Sequence, residues 1–507
     1  MKKEIAERLR DNSLLDRIVT AEEAASWIQD GMTLGLSGFT RAGDAKAVPM
    51  ALVDRSKNES FKVNVFTGAS LGFDIDKKMA EAGIVNKRLP FQADPTMRKK
   101  INVGEINFID QHLSHVAEWV RGDVHNPIDY AIVEATAITE DGYIIPTTSV
   151  GNSSIFVDKA KAVIVELNLS QPAGLENMHD IYELGKQGER QPVPLTSVDQ
   201  RIGEIGIRLD KDKLKGIVIT NFPDSPSTIV PPDEETAIMA NHLINFLREE
   251  IKAGRLTNKL APLQSGVGSV ANAVLHGLLE SEFEDLEVYS EVLQDAVFDL
   301  IDSGKVRFAS GCSMTLSKEK MDHVYPNIEK YKDKIVLRPQ EISNLPEVIR
   351  RLGLISINTA LEVDIYGNVN STHVSGTKMM NGIGGSGDFA RNCRTAIFVT
   401  KSLAKDGKIS SIVPFASHID HTEHDVDIIV TEQGYADLRG LAPRERARVI
   451  IENCAHPLYK EQLTDYFEEA LMRGGQTPHV LEKALSWHTN YASTGTMLQK
   501  EKETVTI

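Results

Sequence analysis

One carboxylate, Glu291, stands where a strand-like stretch passes into a helix-like one. Residues 286–289 alternate in the manner of a short strand, and the apolar residues from Leu293 to Ile301 recur at the spacing of a helix with one buried face. An acid at the carboxyl edge of an α/β sheet lies where ligands usually bind, near the partial positive charge of a helix N-terminus. The position predicts an exposed, ionised carboxylate with a catalytic role, although acids at helix N-termini often serve only as caps.

Two glycine-containing loops could supply backbone N–H groups to a bound anion. The first contains Gly266 and Gly268, and the second has four glycines within residues 382–387. Exposed N–H groups of this kind can hold a phosphate or an oxyanion. A dinucleotide site is the rival interpretation, but the glycines of the second loop are out of register with Gly-x-Gly-x-x-Gly, and the next strand is followed by Lys401 rather than an acid. The pattern favours an oxyanion or thioester cradle.

Two further groups of polar residues have weaker patterns. His418, His421 and His424 lie in one short segment, but their spacing is poor for a metal site and no second ligand cluster accompanies them. We therefore predict no bound metal. Glu432 follows another strand-like stretch, where it could act at a strand end or serve only as a turn residue.

Length and charge limit the class of protein. A chain of 507 residues is too long for one ordinary core, so two domains are expected. The net charge of −16 argues against nucleic acid or an anionic membrane as a partner. Neither a long apolar run nor a targeting segment at the start is present, so we expect a cytoplasmic protein that begins near Met1. The cysteines form no Cys-x-x-Cys pair and are expected to be reduced thiols: Cys312, Cys393 and Cys454.

Strand-like and helix-like stretches alternate in both halves of the chain, which predicts an α/β fold. Residues 221–232 contain four prolines and little periodicity, so we place a boundary there, between a domain at 1–225 and a domain at 226–507. Residues 137–144 resemble residues 361–369, which favours two similar domains. The expected strands are 32–37, 61–67, 130–134, 163–167 and 216–220, then 335–337, 354–357, 397–400 and 428–431.

Several motifs together resemble the acetyl-CoA hydrolase/transferase family of class I CoA-transferases. The likeness runs from about Thr20 to about Thr494. It implies two tandem α/β domains of the CoA-transferase (NagB/RpiA-type) fold, with the active site between them, assembled as a homodimer. The motifs are Tyr289-Ser290-Glu291, Gly266-Val267-Gly268, Gly382-Ile383-Gly384-Gly385-Ser386-Gly387-Asp388-Phe389, Thr431-Glu432-Gln433-Gly434, residues 133–142 and residues 364–371.

The same resemblance implies roles for individual residues. Glu291 falls on the nucleophile, and the backbone amides of Val267 and Gly385 fall on the oxyanion hole. Asn344, Ser70 and Glu432 fall on positions that orient the reacting groups and the acid. The CoA contacts fall on Val267, Gly268, Ser269, Val270, Ala271, Leu361, Asn381, Gly385 and Lys405.

The implied activity is transfer of CoA between short-chain carboxylic acids through a glutamyl-CoA thioester, with CoA as a substrate and no separate cofactor. Succinyl-CoA and acetate are the expected pair. A propionyl-CoA or butyryl-CoA transferase, an acetyl-CoA hydrolase and a non-catalytic CoA or nucleotide-binding module remain open. Residues 221–226 contain no arginine where the succinate-using relatives carry arginines, which leaves the acid open. Closure around residues 221–232 is expected to shield Glu291 from water.

Overall fold

The computed structural model describes residues 2–228 and 231–499. Two residues of the predicted closure segment, Ile229 and Val230, therefore lie outside the described residues. Within the described ranges no helix is both long and apolar enough to cross a membrane.

The first half of the chain forms an eight-stranded sheet in which every neighbouring pair of strands is parallel. Strands of such a sheet are buried on both faces, which explains their continuous apolar runs. The five strands predicted here all occur, with ends shifted by at most two residues. In spatial order the strands are Ile18–Val19, Leu214–Thr220, Ala162–Asn168, Tyr130–Ala135, Thr33–Leu36, Val63–Phe66, Val85–Leu89 and Asn107–Phe108.

The second half forms another eight-stranded sheet, parallel except for its last strand, which runs antiparallel to its neighbour. The four strands predicted in this half are all present. The two sheets divide the chain between Thr220 and Leu263, an interval that contains the predicted boundary. In spatial order the strands are Ile335–Leu337, Val306–Gly311, Leu286–Tyr289, Leu263–Ser265, Ile355–Thr359, Thr395–Val399, Ile428–Val430 and Tyr435–Asp437.

Helices connect the strands, as an α/β fold requires. Asp233 caps the longest described helix by accepting a hydrogen bond from the Thr236 N–H at 2.9 Å. The α-helices of the first half are Lys2–Arg8, Ala21–Ser26, Ala47–Arg55, Ile75–Glu81, Pro95–Asn102, Leu113–Arg121 and Ser153–Lys159. Those of the second half are Glu234–Lys252, Ser269–His276, Asp295–Asp302, Lys318–Val324, Gln340–Ser343, Pro346–Leu352, Ser386–Asn392, Pro443–Cys454, Pro457–Arg473 and Ser486–Thr494.

The two repeated segments form matching hairpins. In the first half Ala137–Ile138 pairs antiparallel with Tyr143–Ile145, and in the second Glu362–Asp364 pairs antiparallel with Val369–Asn370. A glycine with positive φ lies in each turn, Gly142 at 80° and Gly367 at 95°. The structural correspondence supports the prediction of two similar domains.

A single apolar core joins the two halves. One face of the first sheet contributes Val133 and Val165, and the second sheet contributes Val288 and Ile357 to the same cluster. The opposite face of the first sheet packs in a separate core of its own. Because the two halves share a core rather than meeting through a linker alone, loops at the carboxyl ends of their strands can be held rigidly against each other.

Candidate active site

Glu291 follows strand Leu286–Tyr289, as predicted, but it is not exposed. Its side chain lies in the interior, with 5% of the residue accessible to solvent. Its carbonyl accepts hydrogen bonds from the N–H groups of Cys312 at 2.8 Å and Ser313 at 3.1 Å, which fix the turn. Apolar residues of the first half, among them Phe39 and Leu113, pack around the adjoining residues. The predicted exposed carboxylate is therefore wrong, because the other half of the chain covers this strand end.

The helix after Glu291 also begins later than predicted. Val292–Leu293 is a short strand, and the helix starts only at Asp295. The helix N-terminus therefore lies too far along the chain to place Glu291 in its first turn. Burial instead controls the carboxyl group and raises the pKa of Glu291 to about 7, although a hydrogen bond from Asn344 acts in the opposite direction. A carboxyl with that pKa is ionised in part at neutral pH.

Two residues contact the Glu291 carboxylate directly. The Asn344 side-chain amide donates to Oε2 at 2.9 Å, and Asn344 is itself fully buried. Gly385 lies so close that a Cβ there would overlap both Glu291 Oε2 and Asn344 Nδ2. Its φ of −93° is open to any residue, so the requirement for glycine comes from this close approach. The sequence prediction that the second glycine loop lets backbone come near a reacting group is consistent with this arrangement.

The carboxylate of Glu291 faces a cavity of about 180 Å³ that both halves of the chain line. Val267 and Leu361 lie on its wall with about two fifths of their surface exposed, so the cavity opens to solvent beside them. Its lining from the first half is Phe39, Thr40, Ala69, Phe91 and Leu113. Its lining from the second half is Gly266, Val267, Glu291, Asn358, Thr359, Ala360, Leu361, Ser371 and residues 381–386.

The first glycine loop is held beside this cavity by Gln294. The Gln294 side chain accepts from the Gly268 N–H at 3.3 Å and donates to the Gly266 carbonyl at 3.0 Å. Gly268 has a φ of 129°, which an L side chain rarely adopts, and the helix Ser269–His276 begins directly after it. Val267 is thereby presented to the cavity between two anchored glycines.

The structure brings some of the predicted site residues together and leaves others apart. Glu291, Val267, Leu361, Asn381 and Gly385 line the cavity, and Asn344 touches Glu291. Gly268, Ser269, Val270 and Ala271 belong to the loop and helix behind the cavity wall. Ser70 is buried next to the lining residue Ala69, and Lys405 is exposed in the turn between Leu403–Ala404 and Ile409–Ser410.

Glu432 does not reach Glu291. The Ser402 hydroxyl and N–H both donate to its carboxylate, the N–H at 2.8 Å, and Gln433 donates at 3.0 Å. Burial tends to raise the pKa of Glu432, but these hydrogen bonds lower it overall. Its strand lies four positions from that of Glu291 in the sheet, roughly 19 Å at about 4.8 Å per strand. Within this chain Glu432 holds the start of the 402–410 hairpin, and its predicted role toward the acid stays a prediction.

From the first half of the chain, sequence reasoning named Ser70 and missed the residues that line the cavity. Thr40 and Arg41 have φ values of 51° and 72°, so the loop 38–43 is strained where it reaches the cavity. Its glycines were a detectable signal, because glycine-bearing loops after a strand are where α/β proteins bind ligands. Phe91 and Leu113 carry no such signal, since only the packing of the two sheets brings them to Glu291.

The histidine segment has a structural neighbour in the site. His421 is buried, and its Nε2 lies 3.1 Å from the hydroxyl of the lining residue Ser386. Burial lowers the pKa of His421 to about 4, so the ring is neutral at physiological pH. His418 stacks on His373 with ring centroids 3.8 Å apart. Among the described residues no group of three metal-ligating side chains is found.

The cysteines are free thiols. Cys312 is fully buried beside Glu291, where its sulfur accepts a hydrogen bond from the Gly151 N–H at 3.2 Å. Burial raises the pKa of Cys312 well above its ordinary value, so the group is a neutral thiol. Among the described residues that line this cavity, Glu291 is therefore the candidate for an ionised nucleophile.

Comparison with known proteins decides the family. Residues 3–199 match the acetyl-CoA hydrolase/transferase N-terminal domain, and residues 321–467 match the C-terminal domain of the same name. The chain is 53% identical to the succinyl-CoA:acetate CoA-transferase of Clostridium kluyveri, over 97% of this chain and 92% of that protein. The chain belongs to the acetyl-CoA hydrolase/transferase family.

Relatives within the family have more than one named activity. The propanoyl-CoA:succinate CoA transferase of Escherichia coli is 43% identical, over 95% of this chain and 98% of that protein. The acetyl-CoA hydrolase of Saccharomyces cerevisiae is also 43% identical, over 97% of each chain. Family membership thus establishes an enzyme that acts on acyl-CoA. It does not decide whether this enzyme transfers CoA to an acid or hydrolyses the thioester.

Solved structures confirm the predicted fold. RipA from Yersinia pestis aligns with a TM-score of 0.69 and 22% identity, over 92% of this chain and 98% of that one. The 4-hydroxybutyrate CoA-transferase from Porphyromonas gingivalis aligns with a TM-score of 0.62 and 22% identity, over 90% and 98%. At such low identity the likeness concerns the fold, which is the tandem α/β arrangement that the motifs imply.

Proposed function

We propose that the protein is a CoA-transferase that exchanges CoA between succinyl-CoA and acetate. The observation that carries the proposal is the buried Glu291 carboxylate, set against Gly385 and Asn344 at the wall of a small cavity. A carboxylate in this position can attack a thioester, whereas a module that only binds CoA has no need of one. The 53% identity to a succinyl-CoA:acetate CoA-transferase supports the choice of substrates.

The proposed reaction begins with attack by Glu291. A carboxylate oxygen bonds to the thioester carbonyl carbon, the C–S bond breaks, and CoA leaves as a thiolate from an acyl-glutamyl anhydride. The thiolate then attacks the Glu291 carbonyl carbon, and the C–O bond to the first acyl group breaks. The products are a glutamyl-CoA thioester and the first acid as its carboxylate. A second carboxylate reverses these steps and leaves with CoA.

Each addition step places negative charge on a carbonyl oxygen, which backbone N–H groups can stabilise. Val267 and Gly385 lie on the cavity wall from the two glycine loops, so we assign their N–H groups to this task. Asn344 orients the carboxylate through its 2.9 Å hydrogen bond. The exposed apolar surfaces of Val267 and Leu361 suit the entry path of the CoA chain.

The choice of succinate and acetate as the two acids is based on the named activities of the relatives. Within residues 221–226 Asp224 is buried, where it accepts hydrogen bonds from Tyr325 at 3.1 Å and Gly43 at 3.2 Å and pairs with Lys46 at 3.3 Å. This segment therefore serves as structure and provides no cation for a carboxylate. Propionyl-CoA and butyryl-CoA remain alternative donors, which rates with each acid and its CoA ester will separate.

Transfer, rather than hydrolysis, fits the burial of the nucleophile. An anhydride at Glu291 must be kept from water, and the 5% exposure of Glu291 supports such protection, while the cavity itself opens to solvent beside Val267 and Leu361. Glu432, a carboxylate that could in principle activate water, follows a strand that lies four positions from that of Glu291. The hydrolase relatives share the fold and much of the sequence, so the distinction needs a direct measurement.

The decisive experiment compares CoA release with and without an acceptor acid. Acyl-CoA alone should release free CoA slowly, and a short carboxylate should speed CoA-ester consumption by orders of magnitude with ping-pong kinetics. Glu291→Gln provides the blank for uncatalysed thioester loss. Rapid thiol release without acid, unaffected by acetate or succinate, would make the protein an acyl-CoA hydrolase. We further propose that the protein is cytoplasmic and forms a homodimer; light scattering of the purified protein would test the dimer.

A further inference from the structure

The turn that contains Gly385 is held by hydrogen bonds on both sides of Ile383. The Ile383 N–H donates to Asp110 Oδ1 of the first half at 2.8 Å. The Ile383 carbonyl accepts from the Ser386 hydroxyl at 2.8 Å, which closes the turn on itself. Gly385 lies between these two contacts, directly against the Glu291 carboxylate. The conformation of this turn therefore decides where the Gly385 backbone stands relative to the nucleophile.

His421 reaches the same turn from the second half. Its Nε2 lies 3.1 Å from Ser386 Oγ, and only 3% of the residue is exposed. The backbone of His421 is fixed independently of the turn, because its N–H donates to the Val369 carbonyl at 3.1 Å and its carbonyl accepts the Val369 N–H at 2.8 Å. The ring packs on Phe398 with centroids 4.8 Å apart. His421 is thus a rigid support for Ser386.

The hydrogen bonds around the ring decide which nitrogen carries the hydrogen. A hydroxyl has a single hydrogen, and Ser386 gives its own to the Ile383 carbonyl. Ser371 Oγ lies 3.5 Å from the same Nε2 and gives its hydrogen to Asp420 at 3.3 Å. Both hydroxyl oxygens therefore present lone pairs to Nε2, so Nε2 must be the donor. Burial lowers the pKa of His421 to about 4, so at neutral pH the ring has this one N–H to give.

The first half supports the other side of the loop. The Leu113 N–H donates to the Gly384 carbonyl at 3.3 Å. The hydroxyl and N–H of Ser114 donate to the Asp388 carboxylate at 2.6 Å and 3.0 Å. The loop is therefore clamped between the two halves, and the His421 contact is what the second half contributes at Ser386.

We propose that His421 is a positioning residue, which donates from Nε2 to Ser386 and thereby holds the Gly385 N–H where the oxyanion forms beside Glu291. The ring exchanges no proton with the substrate. This inference rests on the proposed role of Glu291 as nucleophile. An interpretation in which His421 only fills the core predicts a loss of stability and no effect on kcat.

The test compares kcat and KM for succinyl-CoA, with acetate as acceptor, in two variants of His421. His421→Leu fills the space without a donor, and we expect kcat to fall by about 100-fold with KM little changed, because a shift of about 1 Å in the reacting groups has that effect. His421→Gln has a side-chain N–H that can reach Ser386. It should bring kcat back to within about tenfold of the wild type, the effect of one neutral hydrogen bond.

The matched control is His179→Leu. His179 is as deeply buried as His421, with 1% exposed, and its Nε2 lies 2.9 Å from the Thr147 carbonyl. It does not line the cavity. Thermal unfolding should show that both leucine variants lose stability, whereas only His421→Leu should lose kcat.

Ser386→Ala tests the contact from its other end. The double variant with His421→Leu should be no slower than the slower single variant, because both changes remove the same hydrogen bond. If His421→Leu fails to fold, Ser386→Ala alone still decides, since its kcat must fall while KM for succinyl-CoA changes little.

A lower kcat in His421→Leu that His421→Gln restores, together with no added loss in the double variant, supports the proposal. An unchanged kcat in His421→Leu or in Ser386→Ala overturns it, as does a loss that glutamine fails to restore or losses that multiply in the double variant. Absence of transfer by the wild-type protein with every acid tested would instead contradict the proposed function, so the two failures are distinguishable.

Discussion

Gly385 lies beside Glu291 at a position where any side chain would displace the Glu291 carboxylate. A Cβ added there overlaps the Glu291 carboxylate and the Asn344 amide, although the backbone conformation of Gly385 is ordinary. The backbone of Gly385 therefore lies directly against the Glu291 carboxylate. The contact with Glu291 therefore requires glycine at this position of the loop.

Replacement of Gly385 by alanine should inactivate the enzyme with little loss of fold. The new methyl group must push Glu291 and Asn344 aside, and a misplacement of about 1 Å can cost about 100-fold in rate. Steady-state transfer and thermal unfolding measure the two effects. Gly185→Ala is the control, since a Cβ at Gly185 would come no closer than 3.3 Å to its neighbours. Equal transfer rates in the two variants would contradict the close approach.

Removal of the nucleophile should abolish transfer. Glu291→Gln is expected to lower the rate by at least about 1,000-fold, roughly 4 kcal/mol, because the covalent route is lost. After wild-type protein is mixed with acyl-CoA, mass spectrometry of the digest should find CoA, or its borohydride-trapped product, on the peptide containing Glu291. More than a tenth of wild-type activity in the variant, or an adduct on a cysteine, would rule out this assignment.

The raised pKa of Glu291 predicts how activity depends on pH. The carboxylate is the attacking form, so kcat/KM for acyl-CoA should fall as the pH drops below about 7. An ordinary glutamate would give this loss near 4.5. Measurements of kcat/KM over a pH series in buffers of constant ionic strength locate this loss of activity. A flat profile from pH 8 to pH 5.5 would show that the carboxyl is not held in the environment described here.

The same shift predicts a pH-dependent effect on stability. Above pH 7 the folded protein holds a buried charge that the unfolded chain exposes to water, which costs free energy of folding. Glu291→Gln removes that cost, so its melting temperature should exceed that of the wild type at pH 8. The difference should shrink toward pH 5.5, where Glu291 is protonated in the folded state. A difference that grows as the pH falls would have the wrong sign for a raised pKa.

A buried ion pair between the halves should matter more than an exposed one. Arg338 pairs with Asp180 with both side chains inaccessible, and Arg338 also donates to Ser310 at 2.8 Å. Arg338→Ala should cost about 3–5 kcal/mol of unfolding free energy, because it leaves a buried charge unpaired. The control is Arg248→Ala, which breaks the exposed pair with Glu282 at 2.7 Å and should cost only a small fraction of this. Denaturant unfolding of both variants measures the difference.

Local sequence determined much of the architecture. The alternation of apolar runs and turn residues gave every strand predicted in the two sheets to within a few residues, and Asp233 marked the start of helix Glu234–Lys252. The repeat of residues 137–144 at 361–369 corresponds to two hairpins of like pairing. These features depend on neighbours in the chain, so a pattern of residue types suffices to reveal them. Glu291 could be singled out for the same reason, since it follows directly on a strand.

Tertiary structure decided the state of that carboxylate. Local sequence predicted an exposed, ionised acid at a helix N-terminus, whereas packing of the first half over the strand end buries Glu291 and raises its pKa. Phe91 and Leu113 reach the site through that packing, and Asp388 gains its partner Ser114 in the same way. Sequence spacing could not place these residues, because they are far apart in the chain and meet only where the two sheets share one core.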